Sequence, residues 1–154
     1  MSEIKRIHDQ FRRAFEGEAW HGPSLQELLH GVTAKTAAAK PLPGAHSIWE
    51  IVGHIAAWDN VVRRRLAGEM IADLEDEENF PSVQDPSEEA WQQTLQHLTR
   101  EHHALRAAMA QLDDARLREM VPGKSHSVYG MLHGVIQHDL YHAGQIALLK
   151  KAQS

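Results

Sequence analysis

The chain has no cysteine. That absence excludes disulfides, thiolate metal ligands and a cysteine nucleophile, and it suits a reducing cytosol. The opening residues, Met1 to Arg6, lack the apolar core of a secretory signal, and no stretch approaches the length of a membrane span. A cytoplasmic protein with no membrane partner is the expectation. Positive charge is also scarce, with a formal net charge of −5 and one basic cluster, Arg63-Arg64-Arg65. Such a triplet is too small a footprint to neutralise a phosphate backbone, so nucleic-acid binding is not expected. The acidic run Asp73 to Glu78 lacks the alternating ligands and turn glycine of a calcium loop and reads as a solvated connection. A phosphate-cradling glycine loop and a serine triad are missing too.

What remains is ordinary in bulk and unusual in one residue type. The 154 residues, 42% hydrophobic and 24% charged, fit one globular domain spanning 1–154. Twelve of them are histidine, the commonest metal ligand among side chains.

Four long helical patterns are separated by segments rich in Pro, Gly, Asp and Ser. The first runs from about Glu3 to Glu18, with Ser2 as its cap and Ile4, Ile7, Phe11, Ala14 and Phe15 on one face. A short extra helix follows the capping box Ser24 to Glu27 and ends before Pro41-Leu42-Pro43-Gly44. A second box, Ser47 to Glu50, opens a long helix that ends near Gly68. Its stripe is Ile48, Ile51, Ile55, Trp58, Val62 and Leu66, with His54 at the margin. Asp85-Pro86-Ser87-Glu88 has the order of an N-cap, a first-turn proline and a first-turn acid. The seam behind it is Trp91, Leu95, Leu98, His102, Leu105, Met109 and Leu112, stepping by four and three. Asp113 to Lys124 is a polar connection. The last helix starts around Ser127, and its stripe is Met131, Val135, His138, His142, Gln145 and Leu149. The fold class predicted is all-α, a four-helix bundle with a short extra helix near the N-terminus.

Two imidazoles in the middle of an apolar seam are costly unless something satisfies them. His138 and His142 are four apart, so on a helix their Cβ atoms lie roughly 5–6 Å from each other and both rings can aim at one ion. This is not the metalloprotease pattern, because Asp139 stands where that motif needs a glutamate base. Two ligands leave a divalent ion under-coordinated. A third must come from another helix, and His54 and His102 both qualify by position.

The segment His46 to Asp59, followed far downstream by His138-Asp139-Leu140-Tyr141-His142-Ala143-Gly144-Gln145-Ile146, resembles the DinB/YfiT-like superfamily of metal-dependent enzymes. The likeness covers nearly the whole chain in length and helix order. It implies an up-down-down-up four-helix bundle and a divalent metal, usually zinc or nickel, on His54, His138 and His142. It also implies a tendency to homodimers. Three neutral imidazoles would leave a coordination position open, the pattern of a catalytic rather than a structural site. Gln145, one turn past His142, is placed to orient a ligand or the bound molecule. Glu50 and Asp59 offer acceptors for an imidazole N–H, or are plain helix-surface acids. His46 is a further neighbour beside the helix cap. Tyr141 is expected to line the pocket, whereas Trp58 fits core packing better. Asp139 lies about 100° around the helix from His138 and is not expected to ligate.

The resemblance implies a thiol-dependent transferase or a hydrolase acting on a small molecule. With no cysteine in the chain, any thiol nucleophile has to be an external low-molecular-weight cosubstrate. The alternative is a non-catalytic metal-binding stress-response module.

Overall fold

Serine and threonine hydroxyls set where most of the helices begin. In the computed structural model, which describes residues 1–154, the helices are α1 (Glu3–Glu16), α2 (Leu25–Leu29), α3 (Ala34–Ala38), α4 (Ile48–Leu66), α5 (Asp76–Asn79), α6 (Glu88–Ala110) and α7 (Val128–Lys151). A 3₁₀ turn at Arg116–Arg118 interrupts the last connection, and there are no strands beyond an isolated bridge between Met120 and Ser127. Ser24, Thr33, Ser47, Ser87 and Ser127 each accept a backbone N–H three residues on. The two capping boxes read from the sequence, at Ser24 and Ser47, are both complete.

Several boundaries differ from the sequence reading. α1 stops at Glu16, because Gly17 and Glu18 both take positive φ, 134° and 62°. The Ser2 hydroxyl accepts no cap hydrogen bond. Asp114 replaces it from across the chain, its carboxylate accepting from the N–H groups of Glu3 at 3.0 Å and Ile4 at 2.9 Å. At α6 the cap is Ser87 rather than Asp85, whose Oδ1 instead accepts from Ser87 N at 3.0 Å in a tight turn. α3 and α5 were not expected at all. The former uses Thr33 as its cap, and the latter folds one turn out of the acidic run.

The long helices α1, α4, α6 and α7 pack so that α4 lies against α6 and α7, and α1 lies against the same two. No helix is long and apolar enough to cross a membrane. The apolar interior falls into two groups. One gathers Phe15, Leu25, Ile55, Trp91, Leu98 and Ile146; the other gathers Phe11, Val62, Leu105, Leu132 and Val135. Between them, helix by helix, sits an ionisable residue. Asp59 lies between Ile55 and Val62, His102 between Leu98 and Leu105, and Asp139 between Val135 and Ala143, all three at most 1% exposed.

None of their carboxylate oxygens or ring nitrogens has a hydrogen-bond partner. Burial therefore settles their charge. It pushes Asp59 well above the usual carboxylate range, with Asp139 beside it adding to the rise, and it pushes Asp139 to about 8. Burial likewise lowers His102 to about 3, so it stays neutral between the rings of Phe11 and Phe15 at 4.3 and 3.9 Å. The sequence stripes had placed Trp58 and His138 inward and Asp59 and Asp139 off the seam. The structure reverses both pairs: Trp58 and His138 are half-buried, while the neighbouring aspartates are core.

Candidate metal centre

Capping at Ser47 fixes the register of α4. With Ile51 and Ile55 in the core, the next position toward the helix margin carries His54, 5% exposed and facing α7. One turn of α7 brings His138 and His142 to meet it. Ring centroids are 4.8 Å apart for His54 and His138, 4.6 Å for His54 and His142, and 4.4 Å for the two on α7. One ring nitrogen from each can be chosen so that all three lie within 4.8 Å of one another.

The protons can be placed from the partners. His54 Nδ1 is 2.7 Å from the carbonyl oxygen of Asn79. A carbonyl only accepts, so Nδ1 carries the proton and Nε2 carries the lone pair. His142 Nδ1 donates in the same way to Gln145 Oε1 at 2.6 Å, freeing its own Nε2. His138 Nε2 lies 2.8 Å from the bare Nε2 of His54. Two lone pairs at that distance repel, so the gap requires either a proton on His138 or a shared cation. Nδ1 of His138 is buried and has no partner. Burial is the main cause that takes His54 to about 4 and His138 to about 3, and it lowers His142 as well. At neutral pH all three are uncharged, the state in which imidazole binds metal.

A roof covers the group. Phe80, directly after α5, stacks flat on His54 at 3.9 Å and on His46 at 3.7 Å. Asn79 Oδ1 accepts from Trp58 Nε1 at 2.8 Å, so one residue ties the connection to both a cluster histidine and its neighbouring indole. Nothing in the sequence pointed to Asn79 or Phe80. Asn79 acts on His54 through its backbone, which carries no residue-type signature.

The other candidates fall as follows. Gln145 reaches His142 directly. Glu50 does not reach the three histidines. It accepts from His46 Nδ1 at 2.9 Å and pairs with Lys40 at 2.8 Å, within its own capping box. Burial would raise its carboxyl, but the bonds from Lys40, His46 and the Ser47 backbone outweigh that and bring it down to about 2. Asp59 sits deep between the helices without a partner. Tyr141 is largely exposed, its ring edge-on to His142 at 5.1 Å. His102 is stacked between two phenyl rings and stands outside the histidine group.

Residues 19–146 match the family model described as DinB superfamily. Neither the curated proteins nor the solved structures give a match to this chain.

Proposed function

Because the chain belongs to the DinB superfamily, we propose that His54, His138 and His142 together hold one divalent transition metal ion, zinc or nickel, in a metal-dependent transferase or hydrolase acting on a small molecule. The observation that carries this reading is the pair of second partners. Asn79 O and Gln145 Oε1 each hold a proton on Nδ1, so His54 and His142 keep their Nε2 lone pairs free in a group whose three rings bring ligand nitrogens within 4.8 Å of one another. Metal-binding histidines ordinarily have such acceptors behind them. The long helices, on this reading, form the up-down-down-up four-helix bundle of the family.

Three neutral protein ligands leave room for an exogenous one, and His138, the half-buried member, borders an open cleft between α4 and α7. A bound divalent ion would supply Lewis acidity, making water or a low-molecular-weight thiol nucleophilic at neutral pH. The chain's own residues do the rest. Asn79 and Gln145 fix ring orientation, and Phe80 shields the His54 side from water. The cleft beside His138 favours an enzyme over a non-catalytic metal-binding stress-response module, which needs no substrate-sized opening at the ion.

Elemental analysis of purified protein tests the reading. Wild type should carry about one divalent ion per chain, the coordination expected of a three-histidine site. His138→Ala and His142→Ala should each lose it. Unchanged metal content in both variants would refute the assignment.

A further inference from the structure

A cleft of about 350 Å³ opens beside His138, within the size range of small-molecule sites. Its walls come from two helices and from His126 in the connection before α7. Trp58, Val62 and Arg65 line it from α4, and Met131, Gly134 and Val135 face them from α7. The cleft is a short trough that runs from the His138 imidazole, past the Trp58 ring 6.2 Å from it, to the Arg65 guanidinium beyond that indole.

That guanidinium is held in place. Arg65 is 5% exposed, its Cζ lies 5.7 Å over the Trp58 ring, and its Nε and Nη2 donate to Ile71 O while Nη2 also reaches Asp73 at 2.9 Å. Its Nη1 makes no such bond. Asp73 is shared with Lys124 at 2.8 Å, so two cations meet one carboxylate at this end. The floor is apolar, formed by buried Val62, Met131 and Val135.

Gly134 is the second clue. Glycine inside a helix costs about 1 kcal/mol relative to alanine. A Cβ built there would meet nothing within 4 Å, so close packing does not require the glycine. What a side chain would do is enter the trough.

We propose that this trough seats the substrate of the enzyme, a small molecule with an apolar body and an anionic end. The anion lies on Arg65 Nη1, the body on Val62 and Val135, and the reacting end at His138. Gly134 sets how bulky the body can be. The proposal rests on the metal-dependent reading above only for which end reacts; the binding itself does not.

Calorimetric titration of the full chain, metal-loaded and chelator-treated, with 4-phenylbutyrate and with 4-phenylbutanol tests it. The acid should bind at least about tenfold more tightly than the alcohol in both preparations, since its carboxylate sits on arginine and not on the ion. Gly134→Phe should abolish binding of the acid while keeping wild-type metal content and melting temperature. Arg65→Gln should bring the acid's affinity down to the alcohol's; should that variant fail to fold, the acid–alcohol comparison and Gly134→Phe still decide. Equal affinity for acid and alcohol, or undiminished binding in folded Gly134→Phe, overturns the proposal. Metal bound but no acid binding removes this inference and leaves the metal reading standing. Acid binding in a protein that takes up no metal does the reverse.

Discussion

Gln145 and Asn79 do the same work from opposite sides of the histidine group, and only one of them could be read in advance. Gln145 is a polar residue at helical spacing from His142, so its position on the stripe made it visible. Asn79 contributes a main-chain oxygen from a connection that reads as solvated acid, and the sequence holds no mark of it. The pair His138 and His142 was legible because helical period alone brings them together, whereas the choice of His54 over His102 needed either the family likeness or the fold. If Gln145 fixes the tautomer of His142, Gln145→Leu should weaken metal binding about 10–100-fold with all three histidines intact. Competition against a chelating dye measures this. An affinity equal to wild type would reduce Gln145 to a packing residue.

At the scale of the helix, hydroxyl caps and apolar periodicity gave the long elements to within a few residues. They failed where the stabilising partner is distant in the chain. Asp114 caps α1 from more than a hundred residues away, and Glu88 accepts from Ala34 N at the start of α3. Neither contact has a local signature. Periodicity also misplaced Trp58 and Asp59, because a stripe drawn by hydrophobicity always puts the indole inside and the acid outside. The cap is open to test. Replacing Asp114 with Ala removes both acceptors at the N-terminus of α1 and should lower stability. Urea denaturation would register it as a lower midpoint with an unchanged slope, and a midpoint equal to wild type would assign the cap to solvent.

Across the whole molecule, buried neutral acids and buried neutral bases pull stability in opposite directions with pH. Asp139 is raised to about 8 in the fold from an ordinary 3.8, so the folded state holds the extra proton. Its contribution is complete below 3.8 and is lost progressively as pH climbs to about 8. His54, His138 and His102 are lowered from 6.5 to about 4, 3 and 3, so the unfolded chain holds the extra protons. Their contribution is complete above 6.5 and is lost as pH falls toward those values. The histidines outnumber the two aspartates, so acid wins below the histidine range and the aspartates govern above it. Metal-free protein should therefore be most stable near pH 6.5, falling away on both sides. Asp139→Asn removes one titrating group, whose effect runs from 3.8 to about 8 and is opposed by the histidines only below 6.5. Between pH 6.5 and 8 its stability should gain on wild type by about 2 kcal/mol, one proton's worth over that interval. Thermal or urea unfolding of chelator-treated protein across that range reads the difference directly. Parallel curves for the two proteins would mean that Asp139 is ionised in the fold, with a counter-charge beside it that makes the polar level between the two apolar groups a salt-bridged one.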